Sequence, residues 1–262
     1  MNPDLPWQPA GTVYGPLLNL RREHALWAPR MGQAPYQAAP KAPVLYVKTA
    51  NTLAACGAAV AVPQPVWLGP TLGLVVGDHA SNWPTARNQQ APAAIKTIVL
   101  GGVAIAGCVL LNDLSLPHDS YYRPAIRLRN RDGKLVCGTP AAPLAPAQPA
   151  ALQLAARVNG ALVQTVDLST LVRDAATLLA DVSAFMTLQP GDVLMLGTDC
   201  LADGSRPLAQ AGDRVEVSAP GFAPLVHTVV AESSAAGPPH GARAPSGGSA
   251  GAPAPSVGAR SS

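Results

Sequence analysis

A chain of 262 residues with 48% hydrophobic content can bury one large core or two small ones. Only 13% of it is charged, against roughly 25% in an average soluble domain. The net charge is +3, and Arg243 and Arg260 near the C-terminus supply two of those charges. With 4% aromatic residues and no basic stripe, nucleic acid is excluded as a partner.

In chain order, residues 1–10 read as an N-terminal extension. Met1–Pro9 has neither a basic n-region nor an apolar h-region, so no secretory signal is expected and a cytoplasmic location is. Thr12–Asn19 and Val44–Lys48 read as strands, as does Leu72–Gly77, an apolar run ending in glycine. Lys96–Leu111 reads as a helix running into a strand. Its apolar part, Ile98–Leu111, falls short of the roughly 20 residues that span a bilayer, so no membrane partner is expected. Leu152–Val158 and Ala161–Val166 flank Asn159-Gly160, a strong two-residue hairpin signal.

Asp167–Ser183 has helical spacing, with Leu168, Leu171, Val172, Ala175, Leu178 and Leu179 on one face and Asp167 as N-cap. Asp192–Gly197, Arg214–Ser218 and Val226–Val230 follow as strands, two of them launched by the turns Pro190-Gly191-Asp192 and Ala211-Gly212-Asp213. His227 is expected to face solvent, and His118 with Asp119 to occupy a surface loop beside Pro117. Residues 233–262 are nearly all Ala, Ser, Gly and Pro and are expected to form a disordered tail.

Strands and helices mix without a βαβ beat, which implies an α+β, β-rich domain over residues 11–232. There is no GxGxxG, no GxxxxGK[ST] and no GxSxG, so neither nucleotide binding nor nucleophilic hydrolysis is supported. Cys56, Cys108, Cys137 and Cys200 form no CxxC pair and read as buried, reduced thiols.

Several blocks in order resemble the fumarylacetoacetate hydrolase family. They are GTVYGPLLNLRREH (11–24), VLYVKTAN (44–51), LGPTLGLVVG (68–77), LNDLS (111–115), YYRPAIRLRNRDG (121–133) and the stretch from VNGALVQ to LQPGDVLMLGT (158–198). The Tyr-Tyr-Arg-Pro and Asn-Arg-Asp-Gly runs resemble the branch that isomerises and decarboxylates ring-cleavage acids of homoprotocatechuate catabolism. The resemblance implies a β-rich mixed fold and a divalent cation, Mg²⁺ or Mn²⁺. It also implies a di- or tricarboxylic keto/enol acid as substrate.

By the same resemblance Asp113 is a metal ligand, and Lys48, Tyr122, Arg123 and Arg129 are substrate-binding residues. Glu23 and His24 in the lid are the acid–base candidates, although Trp27 stands three residues after His24 where the family has Glu. Two Glu spaced i, i+2 on one strand share a face and complete the family's metal site. Here those positions are Gly69 and Thr71; Asp78, an odd number of residues from both, falls out of phase with them, and without a bulge neither it nor His79 is expected to rescue the site. Arg129 replaces a Lys, and Gly197-Thr198-Asp199-Cys200 departs from the family's Gly-Thr-Pro.

Two readings follow: an active isomerase/decarboxylase, as a homodimer for instance, or a metal-less subunit that forms a heterodimer with an active paralogue. The family includes proteins of two similar halves, and this chain, with its metal-poor strand, resembles the first half.

Overall fold

The computed structural model describes residues 6–34, 37–78, 97–118, 125–145 and 148–232. Tyr122, Arg123, His79, Asp119 and the Ala/Ser/Gly/Pro tail expected at 233–262 lie outside these residues. In chain order, β1 (Val13–Leu17) leads into α1 (Arg21–Met31), followed by β2 (Val44–Lys48), β3 (Leu53–Ala55), β4 (Ala59–Val62), β5 (Val66–Trp67) and β6 (Pro70–Val76). Next come β7 (Ile98–Leu100), β8 (Val103–Asp113), α2 (Ile126–Arg129), β9 (Leu135–Cys137), β10 (Gln153–Val158), β11 (Ala161–Asp167) and α3 (Ala175–Ser183). The last strands are β12 (Val193–Met195), β13 (Leu208–Ala209), β14 (Arg214–Ser218) and β15 (Leu225–Ala231).

The larger sheet runs β2-β1-β12-β6-β8-β9-β3, with β7 also on β8. A second sheet runs β11-β10-β14-β15-β4, and β13 pairs with β5. Strands β6 and β8 are covered on both faces, which is why both read as continuous apolar runs. Alternation sorts their side chains. Leu72, Leu74, Val76, Cys108 and Leu110 join a core with Leu154, Val215, Val217 and Leu225 of the second sheet. Val75, Val109 and Leu111 join the other core, with Trp27 and Met31 of α1 and Tyr46 of β2.

The helix expected at the start of Lys96–Leu111 is, from Ile98 on, a hairpin. Gly101 and Gly102 both have positive φ (55° and 82°) and join Leu100 to its partner Val103. Two such residues are the requirement of a tight hairpin turn, and that chemistry outweighs the apolar run.

The helix expected over Asp167–Ser183 is also shorter. Leu168–Thr170 is a single 3₁₀ turn, where Asp167 accepts from Ser169 N at 2.9 Å, and α3 starts only after Asp174, which accepts from Thr177 N at 2.7 Å. Helix α1 has no apolar stripe to announce it. Its buried face is Glu23, Trp27 and Met31 at i, i+4, i+8, and Pro29 sits inside it. Among the described residues no helix is long and apolar enough to cross a membrane. Cys108, Cys137 and Cys200 are buried free thiols and Cys56 is half-buried. Burial pushes the Cys108 and Cys200 thiols up to about 11 and Cys137 to about 12.

His227 does not face solvent. It is in phase with Leu225 and Val229 on β15 and is 1% exposed. Its Nε2 accepts from Asn112 Nδ2 at 2.9 Å, joining the two sheets, and burial pushes its pKa down to about 4. The folded protein therefore holds this ring neutral, while the unfolded chain takes up a proton below about 6.5. Stability is expected to fall by about 3 kcal/mol as pH drops from 6.5 to 4 on this account. Urea unfolding at a series of pH values checks this: His227→Gln should flatten the slope over that window, and an unchanged slope would reject the assignment.

Candidate functional site

Asp113 ends β8 at the edge of the apolar run, fully enclosed. On β2, Tyr46 and Lys48 lie two residues apart and so share a face, while Val47 between them is exposed. Tyr46 reaches Asp113 by crossing β1, where its register partner is Gly15. A Cβ on Gly15 would stand 2.3 Å from Tyr46 Cζ, so the missing side chain is what lets the ring lie there. Arg129 comes from the last position of α2.

These four side chains converge. The Tyr46 hydroxyl donates to Asp113 Oδ2 at 2.5 Å, and Arg129 Nη1 donates to the same oxygen at 3.2 Å. Lys48 Nζ forms an ion pair with Oδ1 at 2.8 Å and also donates to the Arg129 carbonyl oxygen. The guanidinium lies over the Tyr46 ring, 4.6 Å from its centre. All four residues are buried, Arg129 at 4% exposure being typical.

Burial opposes the charged form of Asp113, but the Lys48 ammonium and the Arg129 guanidinium outweigh it and hold the carboxyl below its ordinary value. Burial pulls Lys48 below its ordinary value, and the Asp113 carboxylate opposes that pull. Burial and then the adjacent carboxylate push the Tyr46 phenol well up, so it remains a donor.

A second cluster adjoins the first. Glu23, on the buried face of α1, pairs with Arg206, whose Nη1 donates to Thr198 Oγ1 at 3.0 Å. Arg22 Nη1 donates to Cys200 O at 2.9 Å and lies 3.6 Å from Asp199, whose carboxyl burial pushes up. Asn19 fixes the start of α1 by donating to Leu196 O at 2.9 Å and accepting from Arg173 N at 3.0 Å.

His118, expected in a surface loop, is half-buried. Its ring is 5.0 Å from that of Trp67, and its Nδ1 donates to Leu116 O. Arg129 and Arg206 both act on Tyr46 and on His118, so the two clusters form one electrostatic neighbourhood.

Of the expected site residues, Lys48, Arg129 and Asp113 are brought together, and Glu23 is held beside them by Arg206. His24 is half-buried on a different face of α1 from Glu23, and among the described residues its ring has no hydrogen-bond partner. Tyr46, Arg206 and Asn112 were not singled out from sequence. The i, i+2 phase with Lys48 was a usable signal for Tyr46. Arg206 sits in a loop without periodicity and gave none.

A divalent cation wants several oxygen donors, with carboxylates among them. Among the described residues no three His, Cys, Asp or Glu side chains gather to offer them. Both Asp113 oxygens already face the protein's own cations. A Cβ on Gly69 would meet Asp113 O at 2.4 Å, leaving no room for a Glu, and Thr71 is enclosed with its hydroxyl 3.5 Å from Leu72 O. The described residues do not fit the metal that the family resemblance implied.

Residues 12–230 match the fumarylacetoacetate (FAA) hydrolase C-terminal family, and the chain belongs to that family. It is 37% identical over 224 residues to the 4-hydroxyphenylacetate degradation bifunctional isomerase/decarboxylase of Escherichia coli, covering 85% of this chain and 48% of the relative. The chain thus spans about half the length of that relative. A 5-carboxymethyl-2-hydroxymuconate delta-isomerase from Mycobacterium smegmatis has a similar structure, at 26% identity and a TM-score of 0.59, covering 85% of this chain and 80% of that one. A maleylpyruvate hydrolase from Sphingobium sp. SYK-6, solved with manganese(II) and pyruvate, shares the fold at 21% identity and a TM-score of 0.57 over 87% of this chain and 72% of that one.

Removing the buried anion while leaving its partners strands two cations. Asp113→Ala is expected to cost about 3–5 kcal/mol in chemical denaturation. A loss under about 1 kcal/mol, the size seen for exposed pairs, would mean the cluster is hydrated and open.

Proposed function

We propose that this chain is the metal-independent half of an isomerase/decarboxylase acting on keto–enol di- and tricarboxylic acids from aromatic ring cleavage. The chemistry is of the 2-hydroxyhepta-2,4-diene-1,7-dioate isomerase or 5-oxopent-3-ene-1,2,5-tricarboxylate decarboxylase type. A paralogous half with both acidic strand residues supplies the catalytic centre. The carrying observation is that Asp113 is held by Lys48 and Arg129. Isomerisation or decarboxylation of such acids builds an enolate, whose charge a divalent cation held by several carboxylates would offset. Here the single acidic residue of the strand set is already neutralised, so the set cannot present such an ion.

The pathway class rests on the relatives' names. Glu23 pairs with Arg206 and so braces α1 rather than standing open as a base. Tyr122 and Arg123 remain candidates for a substrate carboxylate from the segment next to α2. What this half contributes to its partner is stability: a folded subunit bound to the active one adds its interface energy to the assembly.

The test is turnover of 2-hydroxyhepta-2,4-diene-1,7-dioate with Mg²⁺, followed by loss of its ultraviolet absorbance. The purified chain alone should run at the uncatalysed rate. It should co-elute with a paralogue bearing Glu at both strand positions and turn over only in that complex. Mg²⁺-stimulated turnover by this chain alone, abolished by Asp113→Ala, would overturn the reading.

A further inference from the structure

We propose that the free edge of β11 is a self-association surface, to which a second copy of this chain adds its own β11, antiparallel, about a twofold axis at Thr165. The contact lies on the second sheet rather than at the Asp113 cluster, and it goes beyond the pairing with a paralogue.

Strand β11 ends the order β11-β10-β14-β15-β4, so one side of its backbone has no strand beside it. The ladder with β10 decides which groups that leaves free. Leu168 N donates to Leu152 O at 3.0 Å, and the register continues from Gln153 opposite Asp167 to Ala156 opposite Gln164. Bonded positions alternate along an antiparallel pair, so Val166 and Gln164 turn their backbone groups to β10, while Asp167 and Thr165 turn theirs outward. The Thr170 hydroxyl takes Asp167 O at 2.7 Å. Among the described residues no hydrogen bond reaches Thr165 N, Thr165 O or Asp167 N.

The edges at β2 and β4 are partly closed by side chains. Asn130 Nδ2 donates to Val47 O at 2.8 Å on β2, and the Lys134 ammonium donates to Ala61 O on β4. Strand β11 carries no Lys and no Pro, and its single charge, Asp167, stands at its last position. A bulge at Val163, between the pairs Ala156–Gln164 and Arg157–Leu162, confines the regular edge to Gln164–Asp167.

Within that stretch one register fits. Outward-turned groups must meet outward-turned groups, and an axis on Val166 or Asp167 would need the carbonyl that Thr170 holds. An axis on Gln164 would rest on the bulge residue. An axis on Thr165 needs neither. The two copies then exchange bonds from Thr165 N to Thr165 O, and the exposed Thr165 side chains lie opposite each other, a favourable cross-strand pair. Asp167 falls opposite Val163 of the second copy instead of opposite another carboxylate. The charged side chain on the adjoining stretch of β10 is Arg157, so unlike charges approach at each end. Leu162, 57% exposed, stands at the same ends and is shielded there. The surface is complementary to itself, which is the requirement of a twofold contact.

The experiment is sedimentation equilibrium of the full chain over a concentration series. It is repeated with Thr165→Glu, with Thr165→Lys and with their 1:1 mixture. Both substitutions change an exposed side chain and leave the ladder to β10 intact, which far-ultraviolet circular dichroism checks. The natural chain is expected to show a reversible monomer–dimer equilibrium. Each variant alone sets like charges opposite each other at the axis and should raise the dissociation constant by about fivefold or more. The mixture sets Glu opposite Lys and should recover the dimer.

A chain that is monomeric at every concentration, a dimer that neither substitution weakens, or a mixture no tighter than the separate variants would overturn the proposal. Failure to co-elute with a paralogue would sink the reading of the previous subsection and leave this one standing, and a monomeric chain that still co-elutes would do the reverse.

Discussion

One carboxylate organises this protein. Asp113 sits at the end of the longest described strand, fully enclosed, and the Lys48 and Arg129 cations are what keep it ionised there. Its three partners come from two separate places in the sequence: the phenol and the ammonium from β2, the guanidinium from α2. Strand β2 is the outer strand of the sheet and β8 lies four strands in, so the interaction spans the sheet rather than following its ladder. Gly15 makes the crossing possible by leaving the space that Tyr46 fills. A buried ion network of this kind does not by itself argue for stability over an apolar core, but removing one member is severe. That asymmetry fixes the identity of each residue in the cluster once the others are present.

Its neighbour extends the constraint to the rest of the fold. Asn112 and Asp113 are consecutive on β8 and point to opposite faces. Asp113 turns to the cluster, while Asn112 turns to the second sheet, bonds His227 there, and takes the amide of Gly69. The Asn-Asp pair is therefore a two-sided joint, with the site on one side and the packing of the two sheets on the other. The chain has the fumarylacetoacetate hydrolase family's fold, and the acidic residue at its strand end is held by its own cations.

Much of the fold was legible in the sequence. Strands β2 and β14 match their expected bounds, and the hairpin at Asn159-Gly160 is set by its turn. Where the reading failed, a local constraint had beaten an apolar pattern. Gly101-Gly102 made a hairpin out of an apparent helix, and Asp174 rather than Asp167 started α3. Helix α1 was hidden because one of its three buried positions is the charged Glu23. His227 was placed on the wrong side although its phase with Leu225 and Val229 pointed inward. The site was half visible. Lys48, Arg129 and Asp113 were all named, yet their mutual pairing was not, because β2 and β8 are distant in both sequence and sheet order. Arg206, the partner of Glu23, lies in a loop whose position only the folded chain defines.

The most direct measurement is anomalous diffraction at the manganese edge from crystals of this chain grown with Mn²⁺. The account predicts no anomalous peak at Asp113, with Lys48 Nζ still in ion-pair contact with its carboxylate. A manganese ion bound to Asp113, with Lys48 displaced from it, would contradict the claim that the protein's own cations hold this site.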